Sequence, residues 1–269
     1  MTAAVYSLLC VILAAVCVFP LRERKKRVRR RAVRIMAAAL LLLAALLFAW
    51  LADFYRADPA AEKALLSTDT VTVERSVNGW RFDGPGENTA LVFYPGAKVE
   101  AAAYAPLLFH IAEGGTDAFL VEMPFHIAFF NSNAPDRLIG AYPYTDWILA
   151  GHSLGGVAAS GYANAHTDRV GGLVLLASYP TAKLDERLVF LSVYGDRDGI
   201  LNRDSYEKSR ARWPADTEEL VIPGGNHAQF GAYGAQRGDG EAAISGEEQQ
   251  SVTAEAIQEW ISQKRAGES

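Results

Sequence analysis

Hydrophobic and polar positions alternate differently in different parts of the chain. Thr2 to Leu21 (TAAVYSLLCVILAAVCVFPL) and Ile35 to Ala52 (IMAAALLLLAALLFAWLA) contain no charged residue. A helix needs roughly 20 such residues to cross the ~30 Å hydrocarbon core, so the pattern predicts two transmembrane helices, over about 2–21 and 35–52. Downstream the apolar positions gather in short runs instead. Thr70–Arg75, Trp80–Phe82, Ala90–Tyr94, Asp117–Glu122, Trp147–Ala150, Gly172–Ala177, Val189–Tyr194 and Glu219–Ile222 read as strands. Several are apolar throughout, as expected of strands covered on both faces. A helical period fits Ala101–Ala112, Leu154–Ala165, Asp204–Trp213 and Glu247–Gln263. Strands alternating with helices predict an α/β domain with a mainly parallel sheet.

Charge sharpens this division. Residues 22–34 (RERKKRVRRRAVR) hold nine Lys/Arg against Glu23, a local charge of +8, which leaves −13 for the rest of a chain whose net charge is −5. The stretch predicts a basic loop, 22–34, between the two helices, and the positive-inside rule places it in the cytoplasm. Everything after Ala52 is then extracytoplasmic on a multi-pass membrane protein. Trp50 and Tyr55 bracket the exit, where aromatic rings favour the lipid–water boundary. A basic stretch followed by an apolar run also has the outline of a signal peptide. Cleavage after Ala52 or Ala57 would put Trp50 or Tyr55 at the −3 position, where a small residue is needed. The expected organisation is a membrane anchor over 1–52, a connector over 53–69 and a single α/β domain over 70–269. An acidic domain repels nucleic-acid phosphates, so no nucleic-acid partner is expected. Cys10 and Cys17 are the only cysteines and both fall in the first apolar run. The sequence sets no oligomeric state.

The chemistry concentrates in three places. Gly151-His152-Ser153-Leu154-Gly155-Gly156 follows a strand and opens a helix. A G-x-S-x-G in that setting makes a tight, strained turn that exposes the serine Oγ at the carboxyl edge of the sheet, so Ser153 is the candidate nucleophile. A serine hydroxyl needs a base. Of five histidines, His110 and His166 belong to helices, His152 leaves the elbow in another direction, and His126 lies in the loop MPFHIAFF as a pocket-lining candidate beside Phe129. His227, in the glycine-rich loop PGGNHAQF after the strand ELVI, is the candidate base. An orienting acid is expected at a strand end between Ser153 and His227, where the segment GDRDG offers Asp196 and Asp198. No His/Asp/Glu cluster has metal-ligand spacing, and no metal or cofactor is expected.

The order GHSLGG, YGDRDGI, GGNHAQFG resembles the α/β-hydrolase superfamily across roughly Thr70 to Ile261. Together with YPG and EMPFHIAFFN, these motifs resemble a bacterial, membrane-anchored branch of it. The resemblance implies an α/β-hydrolase fold, selects Asp198 through the phrase G-x-x-D followed by Gly199 and Ile200, and completes a triad of Ser153, Asp198 and His227. It also implies an oxyanion loop at FYPGAK. Pro95 replaces the family's usual histidine there, so that Gly96 and Ala97 carry over, with the Ala97 and Leu154 N–H groups as oxyanion donors. Gly96, His126 and Phe129 are the expected substrate-binding positions. Ser178 to Arg187 is too short an interval for a helical cap, so no large lid is expected. The implied activity is hydrolysis of a small-molecule carboxylic ester or thioester through an acyl-enzyme, with membrane lipid as a further partner through the N-terminal helices. An acyltransferase or peptidase using the same triad, or a catalytically silent membrane-anchored binding module, are the alternatives.

Overall fold

The structure is a computed structural model and describes residues 24–86 and 88–268. The run Thr2 to Leu21, expected to form a first transmembrane helix, lies outside the described residues. Among the described residues one N-terminal apolar helix is seen. Helix α1 spans Arg24–Ala52, and its Arg30–Ala52 portion is long and apolar enough to cross a membrane or to be a signal sequence. The basic stretch expected as the loop 22–34 is helical from Arg24 onward. Arg and Lys are good helix formers, and neither Gly nor Pro occurs between Arg24 and Ala52. Leu43 and Leu46 on α1 are more than half exposed, which is unlike a core helix.

A second compact unit begins at Phe54. Of residues 53–69, expected as a connector, 54–69 fall within this unit. Tyr55 N–H donates to the Lys98 carbonyl at 2.7 Å, and Glu100 N–H donates to the Tyr55 carbonyl at 2.9 Å. A short helix α2 (Pro59–Lys63) follows, capped by Asp58, whose Oδ1 accepts from Ala60 and Ala61 N–H.

Eight strands follow: β1 (Thr72–Ser76), β2 (Gly79–Asp83), β3 (Thr89–Tyr94), β4 (Asp117–Val121), β5 (Asp146–His152), β6 (Gly172–Leu176), β7 (Val189–Gly195) and β8 (Thr217–Ile222). They form one sheet in the order β1-β2-β4-β3-β5-β6-β7-β8. The pairings β1–β2 and β2–β4 are antiparallel, and every pairing from β4 to β8 is parallel. Alternation along β3 shows how the core divides. Leu91 and Phe93 pack with Leu107, Leu108, Ile111 and Trp260 on one face, beneath α3 (Ala105–Glu113) and α7 (Gly246–Glu268). Val92 and Tyr94 pack with Leu138 and Tyr162 on the other, beneath α4 (Pro135–Ala141) and α5 (Leu154–Ala165). Helix α6 (Arg203–Ser209) starts where the Asn202 side chain accepts from Ser205 N–H at 2.9 Å.

The parallel strands all end at one edge. Chain order reverses between β3 and β5, whose neighbours β4 and β6 lie on opposite sides, and such a switch point leaves a crevice at the carboxyl ends. Residues 177–188 join β6 to β7 with no helix among them.

Candidate active site

Ser153 stands at the β5–α5 junction with φ 53° and ψ −125°. Holding a non-glycine residue there costs of order 1–3 kcal/mol and persists only where the surroundings fix it. They do so from two sides. Ser153 N–H donates to the Leu176 carbonyl at 2.9 Å, and the Ser153 carbonyl accepts from Ser178 Oγ at 2.7 Å. The glycines explain how the turn closes: a Cβ on Gly155 would lie 2.3 Å from the carbonyl oxygens of both Tyr94 and Pro95. Among the described residues the Ser153 hydroxyl has no side-chain or backbone hydrogen-bond partner.

His227 lies in the loop after β8 and Asp198 in the turn after β7. Their side chains are buried, and His227 Nδ1–H donates to Asp198 Oδ2 at 2.8 Å. The other carboxylate oxygen, Oδ1, accepts from Ile200 N–H at 2.8 Å and Leu201 N–H at 2.7 Å. Asp196 points elsewhere, its Oδ1 accepting from Gly224 N–H at 2.7 Å. The two aspartates thus divide as ring partner and turn cap. Gly195 permits this crossing of loops, since a Cβ there would lie 2.2 Å from the Gly225 carbonyl.

Asp239 is a residue that the sequence reading missed. Its Oδ1 accepts from Gly199 N–H at 3.0 Å and His227 N–H at 3.3 Å, and its Oδ2 accepts from Ala228 N–H at 2.8 Å. It therefore clamps the turn carrying Asp198 to the loop carrying His227. The segment RGDGE reads as an ordinary polar turn, and nothing in its spacing marks the aspartate.

Behind the elbow lies a second buried imidazole. His152 is 1% exposed, its Nδ1 is 2.7 Å from Tyr104 Oη, and its ring centroid is 4.5 Å from that of His227. Burial first, then the neighbouring His227, holds its pKa well below the usual imidazole value. Tyr104, pushed up mainly by its own burial, accepts from Gly96 N–H at 3.1 Å. A Cβ on Gly96 would lie 2.8 Å from both His152 Nδ1 and Tyr104 Oη. This packing fixes the loop after β3. Gly96 N–H is engaged by Tyr104 and Lys98 N–H by the His126 carbonyl at 2.8 Å, whereas the Ala97 and Leu154 amides have no acceptor among the described hydrogen bonds.

His126 and Phe129 sit in the loop after β4, at the same sheet edge. His126 is half-buried against Phe54, ring centroids 4.0 Å apart, and burial lowers its pKa; Phe129 is exposed. Among the remaining histidines, His110 faces Glu113 at 3.2 Å and His166 Nδ1 lies 2.9 Å from the Tyr162 carbonyl, both local helix contacts. A cleft of about 1140 Å³ opens beside the His227 loop, between α2, α3 and α7. Ser153, Asp198 and His227 do not line it. Among the described residues no group of three His, Cys, Asp or Glu is placed to hold a metal ion.

Comparison with known proteins agrees with this topology. Est1E from Butyrivibrio proteoclasticus is 14% identical, with a TM-score of 0.51 over 74% of this chain and 100% of its own. A predicted CIB-like hydrolase from Thermoplasma acidophilum is 13% identical, with a TM-score of 0.53 over 71% and 99%. Naproxen esterase (carboxylesterase NP) from Bacillus subtilis is 12% identical, with a TM-score of 0.51 over 75% and 94%. At these identities the likeness is one of fold. No curated protein sequence matches the chain. Residues 90–251, from the start of β3 into α7, match the profile of the alpha/beta hydrolase family, and the chain belongs to that family.

Proposed function

We propose that the protein is a serine hydrolase that cleaves a small carboxylic ester or thioester through an acyl-enzyme. The observation that supports this reading is a buried His227–Asp198 pair in the loops after β8 and β7, at the same sheet edge as the strained turn that carries Ser153 after β5. Ser153 Oγ attacks the acyl carbon while His227 takes its proton. Asp198 holds the imidazole with Nδ1 protonated, so that Nε2 is free to act as base, and it stabilises the imidazolium as it forms. The carbonyl oxygen becomes an alkoxide, for which Ala97 and Leu154 N–H are the donors, each worth several kcal/mol to the barrier in comparable sites. His227 then protonates the leaving group. Water, activated by the same imidazole, attacks the acyl-serine and restores Ser153. Gly96, His126 and Phe129 border the substrate.

In this reading α1 is a retained membrane span and the catalytic domain is extracytoplasmic, because the basic residues 22–34 stay in the cytoplasm. Protease added to intact spheroplasts should cut the domain and spare a tag placed within 22–34; the reverse pattern would overturn the topology alone. The chemical reading is tested by turnover of p-nitrophenyl butyrate. Wild-type activity should vanish in Ser153→Ala. Activity that survives this substitution but is abolished by a chelator would replace the serine reading with metal hydrolysis.

A further inference from the structure

Large apolar side chains exposed on the second unit are few: among the described residues they are Leu66, Val77, Val221 and three phenylalanines. The first three are scattered. Phe125, Phe129 and Phe130 are 55%, 54% and 60% exposed and fall within one six-residue stretch after β4. Phe125 and Phe130 meet edge to face at 5.8 Å. The backbone is held in an unfavourable form to present them, with φ 55° at Phe125 and 56° at His126, a region L-residues avoid. Clustered aromatic exposure on a fixed loop marks an interaction surface, whereas singly exposed apolar residues need no explanation.

The inner side of this loop identifies the partner. His126 stacks on Phe54 at 4.0 Å, Arg56 covers Phe54 at 4.8 Å, and the His126 carbonyl is bonded to Lys98 N–H. Phe54 is the first residue of the domain, and the chain reaches it from the end of α1 at Ala52 through Asp53 alone. Two residue steps span at most ~7 Å. Wherever α1 leaves a bilayer, Phe54 emerges at the headgroup level with the aromatic loop packed against it. Aromatic rings favour that boundary, and an exposed guanidinium such as that of Arg56 is attracted to anionic headgroups.

We infer that Phe125, Phe129 and Phe130 form a lipid-docking surface on the leaflet from which α1 emerges. This surface depends on α1 being a retained span; Phe129 also borders the proposed substrate site, whereas Phe125 and Phe130 take no part in the catalytic reading.

The test uses the full chain reconstituted in phosphatidylethanolamine–phosphatidylglycerol vesicles containing a diazirine phospholipid, with adducts mapped by peptide mass spectrometry. Adducts should appear in α1 and in residues 125–130, and not at Leu66 or Val77. The double variant Phe125→Ser, Phe130→Ser should keep the α1 adducts and lose most of those in the loop, with an unchanged melting temperature. Ser153→Ala should label like wild type, which separates this result from any failure of the hydrolase reading. Adducts confined to α1, adducts spread evenly to Leu66 and Val77, or no adducts in either segment would each overturn the docking surface.

Discussion

Exchanging Asp198 for asparagine tests the geometry of the acid most sharply, because the structure dictates which way the amide must face. Oδ1 of Asp198 accepts two backbone N–H groups, from Ile200 and Leu201, and Oδ2 faces His227 Nδ1. Only an acceptor fits the first position, so the substituted side chain must keep its carbonyl there and present its NH₂ to the imidazole. His227 Nδ1 then has to accept, the ring proton moves to Nε2, and the base that should face Ser153 is gone. The flipped rotamer would restore the tautomer but set the NH₂ against two N–H donors. Leaving both buried N–H donors unsatisfied against an NH₂ costs roughly 3–6 kcal/mol, so about one molecule in 10² or fewer adopts it. Turnover should therefore fall by between about 10² and 10⁴, the upper figure being the scale of a wrong-tautomer exchange in a serine protease. Asp196→Asn retains an oxygen that can accept from Gly224 N–H, so turnover should stay within about threefold. The assay is kcat/KM for p-nitrophenyl butyrate on both variants, with thermal melts to show that each is folded. A folded Asp198→Asn within about tenfold of wild type, or an inactive Asp196→Asn, would refute the assignment.

Removing the clamp should act through the same pair: Asp239→Ala leaves the amides of Gly199, His227 and Ala228 without their acceptor, and should cost about 2–4 kcal/mol in urea unfolding together with a fall in kcat. Unchanged stability would show that the clamp is incidental. Gly155→Ala places a methyl 2.3 Å from two carbonyl oxygens and should lower stability by about 1–3 kcal/mol, with turnover falling as the Tyr94–Pro95 backbone shifts. A neutral effect would contradict the close approach. Burial of His152 sets an acid limit on the fold: its folded pKa lies below the ordinary 6.5, so the unfolded chain takes up a proton that the folded chain refuses as pH falls. This contribution is complete above 6.5 and is lost below it at about 1.4 kcal/mol per pH unit. Thermal melts between about pH 7 and pH 5 should slope less steeply in His152→Phe than in wild type, and equal slopes would refute the linkage.

The central strands were legible because a buried parallel strand must be apolar on both faces, and all eight runs expected from the sequence pair as strands, the more exposed β1 and β8 included. The helix expected over 101–112 begins instead as a 3₁₀ turn, Ala101–Tyr104, and becomes α-helical at Ala105, with Pro106 in the first turn where its missing N–H is harmless. Helix α4 escaped the reading: PDRLIGA is short and contains a glycine, and it buries only Pro135 and Leu138. The elbow could be read from local glycine spacing, since the steric demand and the motif occupy the same few residues. The His227–Asp198 contact joins positions 29 apart in sequence, and the choice of Asp198 over Asp196 came from family resemblance rather than from local chemistry. Asp239 and Tyr104 left no such mark. Their roles come from loops that meet only after the sheet has formed, and each sits in a stretch whose composition suggests a plain turn or helix start.

The proposed chemistry depends most directly on Ser153 acting as the nucleophile. A fluorophosphonate probe incubated with the purified protein should add one adduct that maps to the peptide containing Ser153, with labelling suppressed in His227→Ala and absent in a folded Ser153→Ala. A probe that leaves the wild-type chain unmodified, or that labels Ser153→Ala equally, would contradict the central claim.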